Sequence, residues 1–549
     1  MSIKITILSF LFCVFVASAQ IAQKPETYPI VEFVSPEQAI ELPKLDVGKL
    51  RTEDSLEALQ MHYSPRFAYA HKLNLNTNHS GKWIDLPNGK LWQLSFKGNF
   101  DYTMSVIFAN VEIPEGAYIY VYNPKNKEKA GPFTQESLFK NKLSVHPIRG
   151  NELVIEYFVP IPSSNLGYLE IESVAEAYRD VFNLSSSFKK GFNSSGSCNN
   201  NVVCPEGDVY EDQINSSILV IKGGGTRWCS GCMIGNTDTS DTPYLLSAYH
   251  CVDQNDNSVI SSSEYADLAN WVIMFNYESP DCSPSADGPL TNSISGVSLV
   301  ASYYNTDVSL LELSSIPPAS YVPFYAGWDR STTGANNAFC VHHPSGDVKK
   351  ISFENDPVIE STRDANFWRV VAWDDGVTEG GSSGSPLFNE NAQVVGQLLG
   401  GFSSCASQAN GDPNDDWDEY GRFDVSWVGD ADDTTKLAPW LDPTGTNATS
   451  IDGYYIHSLS SDSNAFDYEF KMYPNPILDK KLNFSVFFKD SGEKGSVEFF
   501  DNVGRKVLEV TCPNNIIKYV IDLRNLSEGH YFVKATFGEN IVTDRILVY

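Results

Sequence analysis

The sequence predicts a mainly β protein of several domains, and three stretches carry that prediction. Residues 90–113 (KLWQLSFKGNFDYTMSVIFANVEI) and 117–123 (AYIYVYN) alternate apolar and polar side chains at the period of a strand. TPYLLSAYHC (242–251) and NTDVSLLEL (305–313) are short apolar runs of strand length in the middle of the chain. After the polar run SLSSDSNAFD (458–467), further strand-like runs broken by turns reach the end. At 549 residues the chain exceeds one ordinary core. With 42% hydrophobic and 12% aromatic residues it is globular, and its net charge of -30 repels nucleic acid and anionic membrane surfaces.

The first element is MSIKITILSFLFCVFVASA, residues 1–19, with a lysine at position 4, an apolar run and the small-residue exit Ala17-Ser18-Ala19. It reads as a signal peptide cut before Gln20. The competing reading, a membrane anchor, needs a longer run and a stop-transfer flank. The expectation is export with no transmembrane segment. Residues 20–190 follow as a β-rich region.

Eight of the ten cysteines then fall in one central segment, as a protein bound for an oxidising compartment would have them: Cys198, Cys204, Cys229, Cys232, Cys251, Cys282, Cys340 and Cys405. Eight cysteines allow about 105 complete pairings, so spacing alone leaves connectivity open. Cys229-Ser230-Gly231-Cys232 has the spacing of a redox or zinc pair, but no second CxxC and no histidine at ligand spacing accompany it. Neither metal nor cofactor is expected.

The same segment holds GGSSGSPLF (380–388), three glycines and three serines ahead of an apolar run. Such a run is an ordinary turn, or it is a nucleophile turn in which small residues let a substrate carbonyl reach backbone N–H groups. The second reading needs a base and an acid. His250 ends the apolar run 242–251 beside Cys251, a fixed position for a general base. Asp307 enters the apolar run 305–313, where a carboxylate needs a hydrogen-bond donor such as an imidazole N–H. Taken singly these are a core histidine, a capping aspartate and a turn serine. The chain order His250, Asp307, Ser383 is that of chymotrypsin-like proteases and differs from the subtilisin and α/β-hydrolase orders.

From GSCNNNVVCPEGD (196–208) through YAGWDR (325–330), HHPSGDVKKIS (342–352), GVTEGGSSGSP (376–386), VVGQLLGG (394–401), EYGRFDVSW (419–427) and PWLDP (439–443), residues 190–450 resemble bacterial lysyl endopeptidases, a secreted branch of the trypsin-like serine proteases. The resemblance implies a chymotrypsin-like double β-barrel, two six-stranded barrels with the site between them. It implies Ser383 as nucleophile, His250 as general base and then acid, and Asp307 as the residue orienting the imidazole. It also implies an oxyanion hole from the backbone N–H groups of Gly381 and Ser383. Cys198 is expected to pair with Cys405, Cys204 with Cys282 and Cys229 with Cys251. A bridge between Cys232 and Cys340 is left open.

In the family an aspartate just before the segment matching Glu419-Tyr420-Gly421-Arg422 floors the primary pocket, and Asp418 has that place, with Gly400 and Gly401 on the substrate-binding edge. The alternative is a solvated residue in the acidic loop GDPNDDWDEY. The sequence departs from the family at Leu399, where lysyl endopeptidases carry a histidine stacked on a tryptophan that has no clear counterpart here. That departure keeps arginine cleavage open. Residues 191–452 hold only four lysines, Lys222, Lys349, Lys350 and Lys436, against 14 in 20–190, as suits an enzyme that cuts after lysine. Five arginines in the same segment leave room for a merely base-poor domain.

The flanks follow from that reading. Residues 20–190 are expected to be a β-rich propeptide released by cleavage after Lys190, giving a mature start at Gly191, with a protease domain at 191–455 and a linker at 456–466. Residues 467–549 resemble the C-terminal sorting domain of the Bacteroidetes type IX secretion system, through MYPNPILD, VEFFDNVGRKVLE, LRNLSEGHYFVK and DRILVY. The alternative is a carbohydrate-binding β-sandwich, but no tryptophan follows Trp440. The expected function is a self-activating, secreted, monomeric serine endopeptidase acting on protein and peptide substrates after lysine. It would use the type IX machinery by way of the periplasm and end outside the cell or on its surface. The alternatives are a protease accepting both Arg and Lys, and a catalytically silent binding protein on the same fold.

Overall fold

The alternation in 90–113 folds as two strands, Gly89–Lys97 and Thr103–Glu112, which join different sheets. One sheet has six strands and the other five. Side chains from both, among them Trp92, Phe96, Phe108, Ile119, Ile155 and Tyr157, make one core, so apolar residues on each strand are buried against the opposite sheet. A computed structural model describes residues 39–455 except 59–63, 164, 181–194, 283–287 and 407–416, and most of 468–548. The signal peptide, Lys190, Gly191 and the linker 456–466 lie outside the described residues.

The central segment is two further sheets. A seven-stranded sheet runs edge to edge through Ser293–Ser295, Val272–Met274, Ser217–Lys222, Arg227–Met233, Tyr244–Ala248, Val308–Leu313 and Val297–Tyr303. A ten-stranded sheet carries Lys350–Glu354, Ala338–His342, Pro386–Asn389, Val394–Gly401, Asp418–Arg422 and Phe367–Val370 in that order, with short strands at its margins. These are the two β layers of a chymotrypsin-like fold. The ten-stranded sheet exceeds six because the two-residue strands Asn200–Asn201, Trp328–Asp329, Ile359–Glu360 and Ser450–Ile451 extend its margins.

The N-terminal block is welded to the seven-stranded sheet, and residues through His457 form one unit. The extended stretch Ser64–Ala68 runs against Thr226–Trp228: the Phe67 N–H donates to the Thr226 carbonyl at 2.9 Å, and the Arg227 guanidinium to the Ser64 carbonyl at 2.7 Å. Phe67, Ala175 and Ala177 share a core with Leu219, Ile221, Trp228 and Val272. This seam removes apolar surface of both partners from water, which is what holds two blocks together.

Residues 458–549 form a second unit, with a three-stranded and a four-stranded sheet sharing a core of Leu482, Val497, Phe499, Ile521, Val533 and Ile546. No helix of the described residues is long and apolar enough to cross a membrane.

Candidate active site

The strand Tyr244–Ala248 ends in a single helical turn, Tyr249–Val252, and that turn carries His250. Asp307 follows a 3-10 turn and opens the neighbouring strand Val308–Leu313, in the left-handed region at φ 54°. Aspartate tolerates this conformation better than most residues do. The position folds the carboxylate back onto the histidine: the His250 backbone N–H donates to Oδ1 at 2.9 Å, and its Nδ1 meets Oδ2 at 2.8 Å. The Tyr249 N–H closes the clamp on the Asp307 carbonyl at 2.7 Å. Both side chains are buried, which strengthens the pair relative to one in water.

Ser383 is held between the sheets. Its carbonyl accepts from the Ser230 N–H of the seven-stranded sheet at 2.8 Å, and the next residue, Gly384, donates to Leu398 of the ten-stranded sheet at 2.9 Å. The Cys229–Cys251 disulfide, bearing the residue after His250, brings Cys251 Sγ to 3.9 Å from the Ser383 carbonyl. The turn therefore lies against the histidine's own turn.

Peptide orientation around the serine is fixed by carbonyls. Gly380 C=O accepts from Ser345 N–H at 2.8 Å and Ser382 C=O from Ser385 N–H at 2.9 Å. In a trans peptide the N–H points opposite to the C=O, so the amides of Gly381 and Ser383 face the other way. Among the described residues, neither is spent on another hydrogen bond. Gly381 sits at φ 99°, and a Cβ there would lie 2.0 Å from Trp228 Nε1. Only glycine fits that place.

The cleft beside the His–Asp pair is a cavity of about 350 Å³ lined by Tyr249, His250, Tyr304, Asp307, Phe367 and Leu399, with Asp256, Asp364, Glu419 and Arg363 at its polar edge. Leu399 reaches it because the strand pairing slips there: Leu398 pairs with Tyr420 and Gly400 with Glu419, so Leu399 is the extra residue of a bulge. Phe367 shares the wall with it. An aliphatic and an aromatic side chain thus meet in this cleft, a proximity hidden from sequence because Phe367 is 32 positions before Leu399.

Asp418 is fully buried on the strand beside Gly401, where a Cβ would meet its Oδ1 at 2.2 Å. Its Oδ2 accepts from Trp373 Nε1 at 2.6 Å, Ser403 Oγ at 2.7 Å and Thr378 Oγ1 at 2.8 Å. It is not the solvated loop residue of the alternative reading, and it does not line the cavity beside His250. Residues 407–416, just before it, lie outside the described residues. Trp373, Thr378 and Ser403 were not legible as its partners, since nothing in their local sequence marks them.

The three expected disulfides, Cys198–Cys405, Cys204–Cys282 and Cys229–Cys251, are present. The pairing left open is answered: Cys232 and Cys340 are both free, buried thiols, and burial pushes the Cys340 thiol up to about 12. They lie in strands of different sheets. Among the described residues no group of three or more His, Cys, Asp or Glu side chains is placed to hold a metal.

Two β-sheets meeting at a His–Asp pair and a glycine-walled serine turn define the class, a chymotrypsin-like β fold. In comparison with known proteins, residues 192–421 match the lysyl endopeptidase C-terminal domain, and residues 471–549 match the secretion system C-terminal sorting domain, which marks the chain for the cell surface or exterior. A lysyl endopeptidase of Pseudomonas aeruginosa is 29% identical over 279 residues, 47% of this chain and 57% of the relative, so the chain spans little more than half of that protein. Among solved structures, a Glu endopeptidase bound to MPD aligns at 16% identity with a TM-score of 0.23, over 38% of this chain and 85% of that one. The MamO protease domain of Magnetospirillum magneticum aligns at 11% identity with a TM-score of 0.24, over 39% and 93%.

Proposed function

We propose that this chain is a secreted serine endopeptidase that cleaves after lysine through an acyl-enzyme. The observation that carries the reading is the buried His250–Asp307 pair lying against a turn whose Gly381 and Ser383 amides make no other hydrogen bond among the described residues. His250 takes the Ser383 hydroxyl proton as the oxygen attacks the scissile carbonyl, then returns it to the leaving amine. Asp307 holds the imidazole tautomer with Nδ1–H toward itself. The two amides receive the oxyanion, each such donor lowering the barrier by roughly 3 kcal/mol.

Lysine selectivity rests on Asp418 and on the chain's own lysines. Lys222, Lys349 and Lys350 are buried, and Lys436 alone of the four keeps appreciable exposure, 23% of its side chain. A lysine-cutting enzyme with this distribution is protected from itself. Latency follows from the N-terminal block, read as a propeptide: its Pro65 carbonyl accepts from the Trp228 N–H, and Trp228 packs against Gly381. The block is released after cleavage at Lys190, and the tail directs export through the type IX machinery.

The test is a digest of a denatured protein mixture with wild type and Ser383→Ala. New termini should follow lysine with wild type and be absent with the variant, and a lysyl phosphonate should label Ser383 alone. Full activity of Ser383→Ala overturns the mechanism, and equal cutting after arginine selects the broader specificity.

A further inference from the structure

The turn that carries Ser383 is held by a hydrogen-bond chain whose direction is readable from one end to the other. Ser352 Oγ donates to the Val377 carbonyl at 3.1 Å, so toward His342 Nε2, 3.2 Å away, it acts as acceptor, and Nε2 bears the proton. His342 Nδ1 is therefore bare and accepts from the Ser382 hydroxyl at 2.7 Å. The Ser382 oxygen in turn accepts the Glu379 N–H at 3.1 Å, while the Ser382 N–H returns to the Glu379 carbonyl at 2.9 Å. His342, Ser352 and Ser382 are all fully buried, and burial, with Lys350 nearby, keeps the His342 imidazole neutral, its pKa pushed down to about 3.

The adjacent histidine works on the next peptide. The His343 N–H donates to Ser230 Oγ at 3.0 Å, and Ser230 Oγ donates to the Gly381 carbonyl at 2.9 Å. Together these links fix the peptide plane between Gly381 and Ser382, the plane that joins the two peptides bearing the Gly381 and Ser383 N–H groups. Every group in the chain lies between residues 230 and 382.

We propose that His342 is a positioning residue for the oxyanion-binding turn, acting through the Ser382 hydroxyl to hold the Gly381 and Ser383 N–H groups on the developing oxyanion. The proposal rests on the reading of Ser383 as nucleophile. A positioning role has a signature that a stabilising role lacks: it weakens binding of the tetrahedral state and leaves ground-state binding of the lysine side chain alone.

The experiment uses the full mature protein as wild type, Ser382→Ala, Ser352→Ala, His342→Leu and His342→Asn, the last keeping an acceptor near the Nδ1 position. Each is measured for kcat and KM on a lysyl anilide, for affinity toward a lysyl aldehyde, which forms a hemiacetal oxyanion, and for affinity toward a simple alkylammonium. Ser382→Ala and His342→Leu should lose roughly 10- to 100-fold in kcat, and the same factor in aldehyde affinity, less than deletion of a donor outright. KM and alkylammonium affinity should stay within about threefold, and His342→Asn should recover most of the loss. Unchanged kcat and aldehyde affinity in Ser382→Ala overturn the proposal, as do losses shared equally by alkylammonium binding. If His342→Leu fails to fold, Ser382→Ala and Ser352→Ala decide alone. Phosphonate labelling of wild type elsewhere than Ser383 overturns the nucleophile reading and this proposal with it. Labelling at Ser383 with an indifferent Ser382→Ala overturns only this proposal.

Discussion

At Asp418, three donors converge on one carboxylate oxygen while the other lies against Gly401. A buried carboxylate so held is rigid, and a substrate ammonium that reaches it gains a charge-assisted contact. Asp418→Asn should lower kcat/KM for lysyl substrates by roughly 30- to 150-fold, the equivalent of about 2–3 kcal/mol. Steady-state kinetics on matched lysyl and alanyl substrates checks this, the alanyl rate staying put. The same variant should accumulate as proprotein. At this scale much was legible. His250, Asp307 and Ser383 stood out because each broke its local rule, a polar group at the edge of an apolar run or small residues where none were needed for a turn. His342 and Ser382 were passed over although both lie in quoted motifs. A buried hydroxyl that accepts from one neighbour and donates to the next leaves no composition signal, and its meaning exists only once residues 40 positions apart are in contact.

The strands were readable from period and punctuation, but their partners were not. Nothing in Ser64–Ala68 announces that it pairs with Thr226–Trp228, because both are short and the pairing is set by the fold of each block. That seam has a pH-sensitive element. His146 of the N-terminal block meets Ser293 Oγ of the edge strand Ser293–Ser295 at 3.2 Å, and the Ser144 N–H donates to Ser295 Oγ at 2.9 Å. Burial, and Arg149 beside it, push the His146 imidazole down to about 4. Its value when exposed is about 6.5, so the docked block binds fewer protons than the released one between those limits. Docking is then fully supported above about pH 6.5 and loses on the order of 3 kcal/mol as pH falls toward 4. After cleavage of the connecting segment, the block should dissociate faster at pH 5 than at pH 7, and His146→Gln should flatten that dependence. Gel filtration of the cleaved protein across this range measures both.

At the scale of the whole chain, the boundary at His457 separates two units with their own cores. Removing 458–549 should leave a protein that folds and cleaves lysyl substrates after activation but stays inside the cell that makes it, as fractionation would report. Within the catalytic segment Lys436 is the least buried lysine, paired with Asp433 at 3.0 Å. An ion pair of that exposure contributes little, about 0–1 kcal/mol. Prolonged incubation of wild type should therefore cut after Lys436 first, and Lys436→Gln should lengthen the active half-life. Cuts appearing first at the more exposed Arg363, at 47% of its side chain, would mean that the pocket takes arginine.

The burial of Lys222, Lys349 and Lys350 reaches beyond self-digestion. Their ammonium groups are occupied by the Cys251 and Ile214 carbonyls and by Asn201 and Asp347, which makes the catalytic segment nearly blind to amine chemistry. An acylating reagent or an activated bead will find Lys436 and, in a protein matured at Gly191, the new N-terminus, and little else between 191 and 452. Once residues 458–549, which carry eight more lysines, are removed, coupling through amines should thus attach every molecule by one or two known points and in a nearly uniform orientation.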